Sequence, residues 1–287
     1  MKTNHLLIVS ALALTQFFSS CKKETVTPSK NVTTQASVET IANDKAYLNS
    51  VYYKTLLVAF GAGMGDINMF KNDEASDILA GCATVTTDTT VFPYQVTINF
   101  GTSGCTLSDG TPVTGVIYGT YTNRNLGTSG STATLDMSNF YINGNQVLGT
   151  FSVHNKGAFG GGNYFFDLSV GGGELKYGSD GRLVKQNVTW LVEWQANGTA
   201  TKEDDFFAFT GTASGVTSNG DSYTETIAEP LLMSRATGCV RQFVSGQTVA
   251  TISGQPDLTI NYGDGTCDTR ADAVQNGVSV RINLQNF

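Results

Sequence analysis

The sequence predicts an all-β protein: an antiparallel, hairpin-rich sheet forming a sandwich or a partly closed barrel, preceded by an N-terminal helical segment. Three observations predict it. Beyond about residue 81, apolar and polar residues alternate at a period of two. The alternating runs are separated by Ser108-Asp109-Gly110, Asn143-Gly144-Asn145, Ser179-Asp180-Gly181, Asn219-Gly220-Asp221, Asp264-Gly265 and Asn276-Gly277. Asn-Gly and Asp-Gly suit two-residue hairpins, whose two central positions both need positive φ. No room remains between runs for crossover helices, so successive strands are antiparallel and an α/β fold is excluded.

Composition agrees. The chain has 287 residues, 32 of them Gly, and is 14% charged, against about 25% in average globular proteins. Its polarity comes from Thr, Ser, Asn and Gly, residues of strands and tight turns. A formal charge of −7 argues against nucleic acid, which needs a basic face.

Residues 1–20 begin with Lys2 and continue through the apolar run Leu6-Leu7-Ile8-Val9-Ser10-Ala11-Leu12-Ala13-Leu14. The run is far short of the roughly 20 residues of a spanning helix and fits the core of a secretory signal peptide. Phe17-Phe18-Ser19-Ser20-Cys21 follows. Small residues directly before a Cys resemble the lipobox of bacterial lipoproteins. That resemblance implies that Cys21 is diacylated through sulfur, becomes the first residue of the mature chain and is then acylated on its amine. Several acyl chains anchor a protein stably where one is marginal. Lys22 rather than Asp after the Cys implies, by the sorting rule of such lipoproteins, an outer-membrane location. Lys22-Lys23-Glu24 resembles the short charged signals that send some of them to the cell surface, so both a periplasmic and a surface-facing position stay open.

Residues 21–37, rich in Thr, Ser, Lys and Pro, are expected to form a lipidated flexible tether. Residues 38–80 form the helical segment. Val38, Ile41, Leu48, Val51, Tyr52 and Leu56 fall at spacings of three, four and seven, the pattern of an amphipathic helix of four to five turns ended by Gly61, Gly63 and Gly65. Residues 81–287 form the β domain, with about a dozen strands. Val188, Trp190, Val192 and Trp194 share one face of a strand. So do Phe207 and Phe209, and Val278, Val280 and Ile282.

One internal echo stands out. Thr97-Ile98-Asn99-Phe100-Gly101-Thr102-Ser103-Gly104-Cys105 resembles Thr259-Ile260-Asn261-Tyr262-Gly263-Asp264-Gly265-Thr266-Cys267, and each copy has a Gly-Cys upstream, at Cys82 and Cys239. The four cysteines allow three pairings. The echo favours Cys82 with Cys105 and Cys239 with Cys267, as disulfides of an exported protein. A four-thiolate zinc site is the rival, but no Cys-x-x-Cys spacing exists. The signature Tyr262-Gly263-Asp264-Gly265-Thr266-Cys267-Asp268 resembles that of a group of uncharacterised bacterial lipoproteins, in which a helical segment precedes a run of β-hairpins. This resemblance supplies architecture and address but no chemistry.

Catalytic candidates are few. The chain has two His, His5 and His154, and His5 leaves with the signal. A Ser-His-Asp arrangement would have to use His154, which alternation places with Thr150 and Ser152 on the polar side of its strand. Asp136, Asp167, Glu174 and Glu193 lie within strand-like runs, and paired carboxylates for glycoside hydrolysis need a separation of about 5 to 9.5 Å. Asp264 to Asp268 invites a calcium reading but lacks spaced Asp ligands. Gly160-Gly161-Gly162 and Gly171-Gly172-Gly173 mark bulges or bends rather than phosphate loops. Trp190 and Trp194, near Tyr164 and Phe166, form either core or an aromatic face for sugar rings. Asp88-Thr89-Thr90 resembles a bacterial O-glycosylation sequon. No cofactor, metal or catalytic site is expected. The leading expectation is a lipid-anchored, non-catalytic cell-envelope protein with a structural or partner-binding role. The alternatives are a glycan-binding module of the cell surface and a carboxylate-dependent hydrolase.

Overall fold

The computed structural model describes residues 33–63, 79, 81–159, 163–195, 204–236, 239 and 242–284. The signal, Cys21 and most of the tether lie outside them, as does Gly160–Gly162. One helix, α1 (Gln35–Gly63), is followed by thirteen strands. These are β1 (Thr84–Asp88), β2 (Tyr94–Thr106), β3 (Pro112–Tyr121), β4 (Thr132–Ile142), β5 (Asn145–Phe159), β6 (Asn163–Lys176) and β7 (Leu183–Gln195). Then come β8 (Phe206–Val216), β9 (Ser222–Ser234), β10 (Phe243–Ile252), β11 (Leu258–Asp264), β12 (Arg270–Gln275) and β13 (Val278–Asn283). All belong to one sheet in sequence order, each antiparallel to the next. β13 does not return to β1, so the sheet stays open.

The predicted hairpins sit at the predicted turns. Asn143-Gly144 joins β4 to β5 with φ of 51° and 75°, and Asn276-Gly277 joins β12 to β13 with φ of 50° and 77°, the positive pair of a two-residue hairpin. Gly171–Gly173 coincides with register shifts of β6 against both neighbours. A Cβ at Gly173 would collide with Gln186 O and the Tyr52 hydroxyl, so this glycine lets the helix approach the wall.

Helix α1 differs from the expected amphipathic segment in three ways. It starts at Gln35 and takes in the last three residues of the expected tether, because Thr34 and Ser37 form a reciprocal capping box. The Ser37 amide donates to Thr34 Oγ1 (3.2 Å) and the Thr34 amide to Ser37 Oγ (3.1 Å). It runs 29 residues to Gly63, about eight turns at 3.6 residues each. Its far end is closed by the wall, where the Leu126 amide donates to Gly63 O at 2.9 Å and the Tyr121 hydroxyl to Ala59 O at 3.1 Å. And beyond its exposed first turn it is buried on every side: Asp44, Lys45, Asn49, Ser50, Lys54 and Thr55 are as covered as Val38, Leu48, Val51 and Leu56.

The helix therefore lies inside the sheet rather than in front of it. Its side chains reach opposite parts of the wall. Tyr47 Oη donates to Ile142 O at the end of β4, Tyr52 Oη to Gln186 O on β7, and Asn49 Nδ2 to Tyr262 Oη on β11. Tyr53 packs edge-on against Phe209 of β8, and Phe60 against Phe166 of β6. Barrels of about eight strands are filled by side chains alone, and wider ones enclose a lumen. Here the sheet is wide enough to take a helix, about 10 Å across, as its core.

The two echo copies occupy matching corners. In each, the Asn side chain accepts from the amide two residues on: Asn99 Oδ1 from Gly101 and Asn261 Oδ1 from Gly263, both at 2.8 Å. The four cysteines lie as two pairs at disulfide distance, Cys82 with Cys105 (Cα–Cα 5.2 Å) and Cys239 with Cys267 (5.1 Å). Closing loops of this size contributes about 3–4 kcal/mol each on the chain-entropy estimate. Non-reducing peptide mapping is expected to recover these two pairs. Recovery of Cys82 joined to Cys267 would show that the corners are not equivalent.

Candidate functional site

Alternation decides which side of the wall each candidate takes. Val188, Trp190, Val192 and Trp194 point inward, with Trp190 3% exposed and Trp194 fully buried. Tyr52 and Phe209 meet the Trp190 ring edge-on. Tyr164 and Phe207 stack on Trp194 at 5.5 and 6.1 Å. The Trp194 indole donates to the buried Asp205 carboxylate at 3.2 Å. These rings are core, so the aromatic face considered for sugars is not accessible to one.

The outward-facing acids are dispersed. His154 Nδ1 is 3.7 Å from Asp167, with both side chains about half exposed and Lys156 on the same carboxylate; that distance exceeds a hydrogen bond. Glu174 pairs with Lys185 at 2.7 Å. Asp136 accepts from the Ser138 amide at 2.9 Å. Among the described residues no cluster of His, Cys, Asp and Glu could hold a metal ion, which includes Asp264 and Asp268.

Inside, most of the buried polar groups of α1 meet partners from the wall, the Ser50 hydroxyl being an exception. Asp44 accepts from Arg182 Nη1 (2.7 Å), Tyr177 Oη (2.7 Å) and Ser218 Oγ (2.7 Å). Burial pushes its carboxyl up from the ordinary value, against the pull of these donors and the guanidinium. Asn49 Oδ1 accepts from Gln186 Nε2 at 2.9 Å, and Gln186 Oε1 accepts from Tyr223 Oη at 2.8 Å. Lys54 Nζ donates to Thr111 Oγ1 at 2.6 Å. Lys45 Nζ lies 2.5 Å from Glu225 Oε2, with 1% and 3% of the two side chains exposed, and 3.6 Å from the centre of the Tyr223 ring. Burial lowers the Lys45 ammonium below its ordinary value, while Glu225 opposes that shift. A void of about 10 Å³ beside Ser50, Tyr53 and Gln242 holds one water at most. Alternation does not reveal this network, because its members are far apart in sequence. The signal available was the set of charges on helix positions 44, 45 and 54 between apolar ones.

The outer face carries a groove of about 530 Å³. Its floor follows one transverse row of the sheet. Phe165 on β6 faces Glu193 on β7, Glu193 faces Ala208 on β8, and Ala208 faces Leu232 on β9. Leu232 faces Ser245 on β10, and Ser245 faces Asp264 on β11. Leu191 and Pro230 add apolar surface beside the row, and Ala208, although outward, is only 7% exposed. Bulges open it: β10 shifts register around Ser245 and Gln247 against both neighbours, and Gly246, with φ of 105°, sits where a Cβ would strike Pro230 O. Glu193, Glu229 and Asp264 lie along the groove, and among the described residues no Lys or Arg lines it. Glu193 Oε1 accepts from Asn163 Nδ2 at 2.7 Å. Asp264 accepts from the Thr266 hydroxyl and amide, which hold its carboxyl below the ordinary value. Glu193 and Asp264 stand four strand spacings apart, about 19 Å at ~4.8 Å each, far beyond the reach of a glycosidase pair.

No family model, curated protein or solved structure matches the chain.

Proposed function

We propose that this chain is a lipid-anchored cell-envelope protein with a non-catalytic, partner-binding or structural role, held to the outer membrane through Cys21. The observation that carries the role is the filled interior. Helix α1 occupies the space where a barrel of this width would hold a ligand, and the interior ionisable groups face structural partners. What the protein can offer another molecule is its outer surface. The anchor rests on the sequence around Cys21, and among the described residues no helix is long and apolar enough to cross a membrane.

Cys21→Ala is expected to abolish acyl labelling of the chain and move it from the membrane to the soluble fraction. Retention of the variant in membranes after a high-salt wash would overturn the anchor. Labelled wild type that captures no envelope protein on in-cell cross-linking would leave the anchor standing and remove the partner-binding role.

A further inference from the structure

We propose that the groove across β6 to β11 docks an extended basic peptide segment of a partner protein, with a cationic side chain at each end and apolar residues between; this deepens, and rests on, the partner-binding reading above. The first ground is charge. Three carboxylates and, among the described residues, no cation line the groove, and two of them are held in place by neighbours, Glu193 by Asn163 and Asp264 by Thr266. Thr266 also keeps Asp264 ionised to lower pH than usual, so the rim stays negative through the neutral range. The second is the floor. Phe165, Leu191, Ala208 and Leu232 are partly or wholly covered although they point away from the core; Ala208 and Leu232 lie between Glu193 and Asp264, and Phe165 and Leu191 extend the apolar surface at the Glu193 end. The third is length. Glu193 and Asp264 lie about 19 Å apart across four strand spacings, which an extended chain covers in about six residues at ~3.3 Å each. A segment with Lys or Arg six positions apart, and apolar side chains facing the floor between them, matches charge, span and surface together. Its volume falls in the range of about 300–1,000 Å³ usual for binding clefts.

The test uses the full chain in detergent and a fluorescent heptapeptide, Lys-Thr-Val-Thr-Val-Thr-Lys, followed by anisotropy. The peptide is expected to bind, and to bind more weakly as salt rises, because exposed charges are screened. Its counterpart with Glu at both ends is expected not to bind. Glu193→Gln and Asp264→Asn are each expected to weaken binding about three- to fivefold, the size of an exposed ion pair, and about nine- to twenty-five-fold together if the two act independently. Thr210→Lys, which places a cation in the groove, is expected to abolish it. Asp136→Asn, elsewhere on the outer face, is expected to change nothing. Absence of wild-type binding, equal binding of the Glu-ended peptide, indifference to the groove variants, or an equal effect of Asp136→Asn would each overturn the proposal. Competition by a neutral oligosaccharide, unaffected by the charge variants, would also overturn it, in favour of a glycan. Capture of an envelope protein by in-cell cross-linking is read independently of peptide binding, so failure of the groove and failure of the partner-binding reading are distinguishable.

Discussion

Glu225→Ala is expected to lower stability by about 3–5 kcal/mol, because removing one partner of a buried ion pair leaves the other charge uncompensated. Lys45 has the carboxylate and the Tyr223 ring beside its ammonium and almost no contact with solvent. The double variant Lys45→Met, Glu225→Leu is expected to recover most of that loss, since apolar replacements of a buried pair are often neutral or stabilising. Urea unfolding of wild type, single and double variants checks both statements. A double variant no more stable than Glu225→Ala would show that the pair contributes beyond offsetting its own burial. The single variant also gains a pH dependence. Burial already holds Lys45 below 10.5, and without Glu225 the ammonium is less favoured still. Between that lowered value and 10.5 the folded chain binds fewer protons than the unfolded one, so stability rises with pH across the window. The stability gap between Glu225→Ala and wild type is therefore expected to narrow as pH rises from neutral toward 10.5; the buried tyrosines, raised in both chains, cancel in that comparison. A gap that stays constant would show that Lys45 is not buried as a charge.

Trp194→Ala is expected to cost about 3–5 kcal/mol, as truncation of a large buried aromatic does. At about 2–4 °C per kcal/mol for domains of this size, the melting point should fall by several degrees or more. The indole lies between Tyr164 and Phe207 and donates to buried Asp205, so the substitution removes ring contacts and a hydrogen bond together. Trp194→Phe keeps most of the ring packing and should cost less; its remaining cost includes the lost hydrogen bond to Asp205, and its difference from Trp194→Ala reports the ring contacts. A Trp194→Ala protein that melts within a degree or two of wild type would place the indole outside the core.

Whatever depends on neighbours along the chain is legible in the sequence. The period of two in Gln95 to Phe100 and Val188 to Trp194 reports one covered face, whatever covers it. Asn143-Gly144 and Asn276-Gly277 specify hairpins because positive φ is a property of those residues. The spacing of Val38, Ile41, Leu48, Val51 and Leu56 makes a helix for the same local reason. The paired corners at Cys105 and Cys267 were legible because the same local geometry was written twice. What lies against each face follows from contacts between distant segments. A helix with Asp44, Lys45 and Lys54 among its apolar residues reads as amphipathic, since charges ordinarily mark solvent. It became a core because Arg182, Glu225 and Thr111 arrive from distant strands to meet those charges. The groove is non-local in the same way, because Phe165, Glu193, Ala208, Leu232, Ser245 and Asp264 become neighbours only when six strands pair in register. Pairing across about a hundred residues leaves no period in the sequence, and for that reason the filled interior and the outer row had to be seen in the folded chain.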